Sequence, residues 1–210
     1  MPDELVFYTN PMSRGRIVRW MLEEVGQPYR TELLDYGTTM KAPAYLAINP
    51  MGKVPAIQHG DSVVTECAAI CAYLADAFPE ARLAPPPGDL LRAPYYRWLF
   101  FAAGPVEAAV TNKALNMVVP EGRERTVGYG SFTDVMNALE AAVSQGDYLA
   151  GNGFTAADVY VGSQIGFGLM FGSIEKRPAF ERYWARISAR PAALRAKQID
   201  DALMPAPKSS

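Results

Sequence analysis

The chain contains few of the side chains on which catalytic centres are usually built. Its 210 residues include one histidine, His59, and two cysteines, Cys67 and Cys71. Any Ser-His-Asp or Cys-His machinery would have to include His59, which lies in a Gln-His-Gly-Asp segment typical of a turn between two strands. The same scarcity excludes a multi-histidine metal site, a zinc ribbon or a CxxC redox pair, so we predict no metal. We expect the protein to take its reactive group from a molecule that it binds.

Two segments have residue types suited to binding at the start of a helix. Glu66 follows a strand-like run and begins a helical pattern. The first amides of a helix lack intrahelical partners and attract anions, so Glu66 and these amides suit the ammonium and carboxylate of an α-amino acid head group. Glu66 could equally be a first-turn acid favoured by the helix dipole. In residues 10–16, Ser13 could donate to a thiolate, cap the next helix, or do both.

Pro55 lies within an apolar, strand-like run, where a proline removes a hydrogen bond of the sheet. A cis Val54–Pro55 bond at the start of this strand would leave the backbone of Val54 able to bind an extended peptide as another strand would. An edge strand with an ordinary trans proline is the alternative.

Composition restricts the molecules with which the chain can interact. Half of the residues are apolar, and 20 basic against 22 acidic residues give a net charge of −2. No basic field is present that would hold nucleic acid. No apolar run approaches the roughly 18 uncharged residues of a membrane span, and the acidic first residues are unlike a secretory signal. We predict a globular cytoplasmic protein that binds neither nucleic acid nor membranes, with reduced cysteines.

The elements that must position these residues form two groups, separated by a proline-rich segment that cannot be helix or central strand. The first group reads as strand 5–8, helix 17–25, strand 29–34, hairpin strands 54–57 and 62–65, and helix 66–78. The second group reads as helices over 89–117, 123–145, 155–172, 178–190 and 192–203. We therefore predict an α/β domain of order βαβ-ββα at 1–83, a linker at 84–88 and an all-helical domain at 89–210.

Five segments have the residue types and order of a known family: 8–16, 23–26, 49–57, 65–70 and 154–159. The Gly-Lys-Val-Pro sequence, followed by an acidic residue at the start of the next helix, is the most specific of them. Together they resemble the glutathione S-transferase family over nearly the whole chain, in particular bacterial-type members of the Ser and Cys classes, without assigning a class. The resemblance implies a thioredoxin-like N-terminal domain followed by an all-helical C-terminal domain, as predicted above from the pattern.

The resemblance also implies glutathione as co-substrate and a site for it. Val54 would pair with the cysteinyl part beside Pro55, Lys53 would lie near the glycyl end, and Glu66 and Cys67 would hold the γ-glutamyl head. Cys67 stands where the family usually has serine. Because a thiol is a weaker hydrogen-bond partner, affinity would depend more on Glu66 and the helix amides, or the ligand preference would differ.

A residue that donates to the glutathione sulfur is the remaining part of the implied site. Ser13 matches the loop position used by the Ser and Cys classes and is our prediction. One alternative is Asn10, because the loop is two residues longer here than in the Tyr classes of the family and moves Asn10 into the equivalent position. The other alternative is Tyr8, at the end of the first strand.

The implied function is conjugation of glutathione to small hydrophobic electrophiles, as in detoxification, by a homodimer. Aromatic and apolar side chains of two helices are candidates for an electrophile pocket between the domains, although such stripes also form cores. They are Tyr96, Phe100, Phe101, Phe167, Met170 and Phe171. Alternative functions are another glutathione-dependent reaction (isomerisation, dehalogenation or disulfide reduction) or a transferase-like fold that serves as a non-catalytic interaction module.

Overall fold

A computed structural model describes residues 4–204. Within this range the chain divides into two compact units. The first consists of residues 4–81 together with 190–204, and the second of residues 82–189.

A four-stranded sheet forms the centre of the first unit. Its strands are β1 (Leu5–Thr9), β2 (Arg30–Leu33), β3 (Ala56–His59) and β4 (Ser62–Thr65). They lie in the order β2-β1-β3-β4. β1 is parallel to β2 and antiparallel to β3, and β3 is antiparallel to β4. The predicted βαβ-ββα order is therefore confirmed, and β3 begins directly after Pro55.

Helices surround the sheet in the first unit and form the second. They are α1 (Gly15–Val25), α2 (Pro43–Leu46), α3 (Cys67–Ala77), α4 (Arg92–Phe101), α5 (Glu107–Ala114), α6 (Phe132–Ser144), α7 (Ala156–Phe171), α8 (Pro178–Ser188) and α9 (Pro191–Ala202). Single 3₁₀ turns lie at Thr39–Lys41, Pro79–Ala81 and Glu124–Thr126.

α1 has its apolar residues on one face, and it packs on α3 and α9 in the first unit. Ile17, Val18, Met21 and Leu22 are all buried. The helix ends at Gly26, which adopts a left-handed φ of 73° and donates its N–H to the Leu22 carbonyl. Glycine takes this conformation without the steric cost that a Cβ imposes, so the helix ends where the sequence predicts.

The last helix, α9, packs on α1 in the first unit. Arg19 of α1 is 1% exposed and its Nε donates to Asp200 Oδ1 at 3.2 Å. Arg190 Nε and Nη2 donate to the two carboxylate oxygens of Glu24 at 2.7 and 2.8 Å. The predicted division differs here, because it placed all of 89–210 in the helical domain. Charged residues in the sequence of a helix indicate that it can form ion pairs, but they do not indicate which element it pairs with.

The helical unit follows the predicted order of helices, with two differences. A π-helical segment, Ala102–Val106, joins α4 to α5, and it contains Pro105, which has no N–H to donate to the preceding turn. The helix predicted from residue 123 begins only at Phe132. Gly130 has a φ of 68°, and the Ser131 side chain accepts from the Asp134 N–H at 3.0 Å, so the helix starts after it.

α7 begins where the sequence predicts, with a capping box. The Thr155 side chain accepts from the backbone N–H of Asp158, and the Asp158 side chain accepts from the backbone N–H of Thr155. Asp158 is fully buried and also accepts from the Leu149 N–H and from the Tyr183 hydroxyl, at 2.9 and 2.7 Å. Burial raises the pKa of Asp158 above its usual value. Its carboxylate ties α7 to the preceding loop and to α8.

Candidate active site

A cleft of about 290 Å³ opens in the first unit, between the start of α1 and the segment that precedes β3. Ser13, Lys53 and Val54, all predicted site residues, line it. The other lining residues are Arg14, Tyr36, Gly37, Met40, Lys41 and Gly52. The fold thus brings together two segments that the sequence analysis singled out separately.

The Ser13 hydroxyl forms two hydrogen bonds at the entrance to α1. It donates to the Asn10 carbonyl at 2.7 Å and accepts from the Gly15 N–H at 2.9 Å. It therefore binds the N–H of the first residue of α1, while Arg14 occupies the N-cap position of that helix. The Gly15 N–H occupies one lone pair of Oγ, and the hydroxyl proton is directed at the Asn10 carbonyl. To donate to a ligand, the hydroxyl would have to rotate this proton away from Asn10.

Asn10 and Tyr8 occupy other positions. The Asn10 side chain is buried, donates to the Leu34 carbonyl at 2.8 Å and accepts from the Met12 N–H at 2.9 Å, so both ends of its amide shape the loop. The Tyr8 hydroxyl donates to Gln58 Oε1 at 3.2 Å on the neighbouring strand. Within the described residues, neither side chain lines the cleft.

The segment before β3 presents its backbone at the cleft. The Val54–Pro55 peptide bond is cis. The Lys53 carbonyl accepts from the Tyr45 hydroxyl at 2.6 Å and from Asn49 Nδ2 at 2.8 Å, which fixes the chain just before Val54. Burial raises the pKa of Tyr45 to about 12, so this hydroxyl keeps its proton and remains a donor. The Lys53 side chain is exposed and Val54 is half-buried.

Glu66 and Cys67 form the start of α3. Glu66 is exposed and has a φ of 67°, a conformation that is uncommon for any residue other than glycine. Such backbone costs on the order of 1–3 kcal/mol and is found most often at functional sites. The Cys67 thiol is 8% exposed and donates to the Arg14 carbonyl at 3.7 Å. This contact places the start of α3 beside the residue that follows Ser13.

Several residues of the cleft were not predicted. Lys41 Nζ donates to the carbonyls of Met51 and Gly52, at 3.0 and 2.9 Å. Gly52 has a φ of 56°, and a Cβ there would lie 2.7 Å from the Met40 carbonyl oxygen. The Asn-Pro-Met-Gly sequence signals this turn, but no local pattern marks Lys41 or Tyr36.

Gly15 and Arg16 complete the loop at the start of α1. A Cβ on Gly15 would overlap Thr9 Oγ1 and lie 2.9 Å from Ser13 Oγ. Arg16 Nε donates to the Pro11 carbonyl at 2.6 Å. Gly15 leaves room for the close approach of Thr9 and Ser13, and Arg16 holds the loop that contains Ser13 through the Pro11 carbonyl.

The predicted electrophile residues lie on two helices of the second unit. On α4, Tyr96 and Phe100 are 39% and 71% exposed, and Phe101 is half-buried. Phe167 of α7 is half-buried. At the end of the same helix, Met170 and Phe171 are 67% and 77% exposed. Large apolar side chains exposed to this extent are available to a ligand, and their part in a pocket remains a prediction.

His59 ends β3, and its Nδ1 lies 2.9 Å from the Tyr73 hydroxyl of α3. In residues 4–204, no three His, Cys, Asp or Glu side chains come together as a metal site would require. Across the same residues, no helix combines the length and apolarity needed to cross a membrane. Cys67 and Cys71 are both buried free thiols.

Comparison with known proteins agrees with the resemblance noted in the sequence. The family model described as "Glutathione S-transferase, N-terminal domain" matches residues 12–77, and "Glutathione S-transferase, C-terminal domain" matches residues 132–191. Glutathione S-transferase F9 of Arabidopsis thaliana is 30% identical over 178 residues, which cover 72% of this chain and 76% of that protein. The chain belongs to the glutathione S-transferase family.

Solved structures of glutathione S-transferases have the same fold. A glutathione transferase from Methylococcus capsulatus is 29% identical, with a TM-score of 0.78 over 94% of this chain and 99% of that one. A sphingomonad glutathione S-transferase, solved in complex with glutathione, is 27% identical, with a TM-score of 0.76 over 93% and 98% of the two chains. The thioredoxin-like N-terminal domain, the helical C-terminal domain and the assignment as a glutathione transferase are therefore confirmed.

Proposed function

We propose that this glutathione transferase binds glutathione in the cleft of the first unit and holds its thiol as a thiolate for attack on small hydrophobic electrophiles. One observation carries the proposal: Ser13 lines the same cleft as Lys53 and Val54. A hydroxyl at a helix start and a backbone able to pair with a peptide are thus available to one ligand.

The charges around the cleft complement those of glutathione, a tripeptide with two carboxylates and one ammonium group. The Lys53 ammonium suits the glycyl carboxylate, and Val54 offers backbone groups to the cysteinyl unit. Glu66 suits the ammonium of the γ-glutamyl head, while the first amides of α3, starting at Cys67, suit its carboxylate. In this assignment, the cis Pro55 lies beside the cysteinyl unit.

Ser13 is the proposed thiol-activating residue. A free thiol has a pKa of about 8.5 and is mostly protonated at neutral pH. A thiolate carries a full charge and is a stronger acceptor than a neutral carbonyl, so it would compete with the Asn10 carbonyl for the Ser13 proton. The Gly15 N–H donates to the same oxygen at 2.9 Å and makes the hydroxyl a better donor.

The electrophile is assigned to the apolar residues of the helical unit. Bound near Tyr96, Phe100 and Phe101 of α4, and Phe167, Met170 and Phe171 of α7, it would meet a mainly apolar environment. Such an environment retains small hydrophobic electrophiles and gives little selectivity between them. This suits a role in detoxification of varied compounds.

We also propose that the protein is a cytoplasmic homodimer. Its two free thiols fit a reducing compartment. Light scattering after size-exclusion chromatography measures the oligomeric state, and a mass near 22.9 kDa would contradict the dimer.

Calorimetric titration with glutathione, combined with a conjugation assay on an activated aryl halide, tests the proposed function. We expect binding below millimolar concentration and turnover with the halide. S-methylglutathione should bind without supporting turnover, because its sulfur cannot become a thiolate. Absence of binding in the millimolar range would contradict the proposal, and binding without conjugation would favour another glutathione-dependent reaction.

A matched pair of variants assigns the head-group site. Glu66→Gln removes a charge at the start of α3, and Glu80→Gln removes the same charge from an exposed residue of the same unit. The first should weaken glutathione binding about tenfold, as expected for loss of a charged hydrogen bond, and the second should leave it unchanged. Equal affinities in the two variants would exclude Glu66 from the site.

A further inference from the structure

Arg16 connects the loop that contains Ser13 to the far end of the chain. Its Nε donates to the Pro11 carbonyl at 2.6 Å, and its Nη1 donates to Asp201 Oδ1 at 2.7 Å. Proline has no N–H, so the carbonyl is the one backbone group through which Pro11 can be held. A guanidinium can serve both acceptors because its donors form a rigid planar fork, whereas an ammonium is a single point charge.

Asp201 lies near the end of α9, and its second carboxylate oxygen accepts from Lys197 Nζ at 2.6 Å. The hydrogen bonds from Lys197 and Arg16 lower the pKa of Asp201. A lowered pKa means that the carboxylate is ionised in the folded protein at every pH above the usual value for aspartate, about 3.9. The Asp201 carboxylate therefore stays charged across the pH range in which a glutathione thiol ionises.

Two other ion pairs also link the α9 segment to α1. Arg19 and Asp200 pair in the buried interior, and Arg190 pairs with Glu24 through both carboxylate oxygens. The side chains of Arg16 and Asp201, by contrast, are 24% and 42% exposed. An exposed pair contributes little to stability, about 0–1 kcal/mol. Its distinguishing feature is that one of its members also holds the loop that carries Ser13.

We propose that Asp201 and Arg16 are positioning residues for the thiol-activating loop. Asp201 fixes the guanidinium of Arg16, the guanidinium fixes the Pro11 carbonyl, and the loop then presents the Ser13 hydroxyl to the sulfur. The C-terminal helix thus sets the geometry of the glutathione site without contacting the ligand. This inference rests on the proposed function, with Ser13 as the activating residue.

Three variants test this arrangement. Asp201→Asn removes the charge that fixes Arg16, and Arg16→Lys keeps a positive charge but loses the fork. Arg195→Gln is the matched control: it breaks another exposed pair between α9 and α1, in which Arg195 Nε donates to Glu23 Oε2 at 3.3 Å, away from the loop. For each variant we would measure the melting temperature, the glutathione Kd, kcat against pH, and the pKa of the bound thiol from the ultraviolet absorbance of the thiolate.

Misplacement of the hydroxyl should act on the chemical step rather than on binding. In Asp201→Asn and Arg16→Lys we expect kcat at neutral pH to fall about tenfold, with the apparent pKa of the bound thiol raised. Kd measured at a pH below the thiol pKa, where glutathione binds as the neutral thiol, should change less than about twofold, since the binding groups are untouched. Arg195→Gln should match the wild type in both kcat and thiol pKa.

Two results would overturn the positioning role. One is a wild-type thiol pKa and kcat in both Asp201→Asn and Arg16→Lys. The other is the same loss of kcat in Arg195→Gln, which would trace the effect to general loosening of α9. A wild-type protein that binds no glutathione or forms no thiolate would instead contradict the proposed function, on which the inference rests.

Discussion

The Ser13 hydroxyl already has an acceptor in the protein, and this determines how it can activate a thiol. The hydroxyl donates to the Asn10 carbonyl at 2.7 Å, so a bound sulfur receives this hydrogen bond only when the sulfur is the stronger acceptor. A thiolate meets this condition better than a neutral thiol does, because hydrogen bonds to charged groups are the stronger ones. The exchange therefore favours the ionised form of glutathione over the neutral form.

Replacing Ser13 by alanine should raise the pKa of the bound thiol and lower turnover at neutral pH. A hydrogen bond to a charged group contributes about 1.5–3 kcal/mol, and about 1.4 kcal/mol corresponds to one pKa unit, so we expect a rise of about one to two units. The pH dependence of kcat measures this shift. Above the raised pKa the variant should regain most of its activity.

The control for this experiment is Ser13→Thr, which keeps a hydroxyl and its bond from the Gly15 N–H. It should retain a thiol pKa closer to the wild-type value than alanine does. A wild-type pH profile in Ser13→Ala would transfer the activating role to Asn10 or Tyr8, the two alternatives considered from the sequence.

Cys67 stands, by the resemblance, where the family usually has serine, and its contact indicates what this change would alter. The thiol donates to the Arg14 carbonyl at 3.7 Å, a longer and weaker interaction than a hydroxyl would form. Cys67→Ser should therefore strengthen glutathione binding by about 0.5–1.5 kcal/mol, a Kd about two- to tenfold lower, with kcat unchanged.

Calorimetric titration measures the change in Kd, and Cys71→Ala is the control. Cys71 lies one helical turn further along α3 and is fully buried, and burial raises its pKa well above the ordinary value. It should affect stability and leave Kd as in the wild type. Equal or weaker binding in Cys67→Ser would mean that this position does not contact the γ-glutamyl head.

At the scale of elements, the junction between β1 and α1 depends on a glycine. A Cβ on Gly15 would overlap Thr9 Oγ1, and Thr9 is fully buried at the end of β1. Gly15→Ala should therefore destabilise the protein by about 1–3 kcal/mol, as overpacking does, although alanine normally favours helices. It should also displace Ser13 Oγ, which lies 2.9 Å from the position of the added atom.

Chemical denaturation measures this change, with Gly104→Ala as the control. Gly104 lies in the π-helical segment, and a Cβ there would meet no atom within 4 Å. The two substitutions are chemically identical, but Gly15→Ala should lower the free energy of unfolding, and Gly104→Ala should not lower it. A Gly15→Ala variant as stable as Gly104→Ala would show that the loop adapts without strain.

Elements were predictable where a local signal specifies them. Gly26 ends α1, and Thr155 with Asp158 begins α7, because caps act within a few residues of the chain. The start of α6 was predicted too early, since apolar spacing continues through a segment that the positive φ of Gly130 interrupts. The short helix α2 has too few residues to show a period.

The residues that line the cleft were predictable to the same extent, and their part in a glutathione site remains a prediction. Ser13 lies near a helix start and Val54 beside a proline, where residue type alone indicates an unusual backbone. Lys41 reaches the cleft through carbonyls ten residues away, and Arg16 reaches Asp201 across 185 residues. Such contacts depend on the folded arrangement, and nothing in the local sequence marks them.

At the scale of the whole molecule, the chain returns to its first unit after completing the helical one. The N-terminal half contains Arg19, which is 1% exposed, yet its carboxylate partner Asp200 comes from α9. The Nη1 atom of Arg19 donates to the Tyr29 hydroxyl and to Thr31 Oγ1 in the first unit. A buried guanidinium without a carboxylate is strongly destabilising, so the first unit is electrostatically complete only with the end of the chain.

A chain that ends at Ala189 should therefore be much less stable than one that ends at Met204, although both contain the entire helical unit. The shorter chain loses α9, leaves Arg19 without Asp200 and exposes the face of α1 that α9 covers. Loss of one partner of a buried ion pair costs about 3–5 kcal/mol, a large fraction of the 5–15 kcal/mol by which domains are usually stable. Denaturant unfolding followed by circular dichroism should show this loss in the sheet-containing unit, and Asp200→Ala should reproduce part of it in the full chain. Equal denaturation midpoints for the two truncated chains would mean that the first unit folds without α9. The predicted domain 1–83 would then contain all that the first unit needs for its stability.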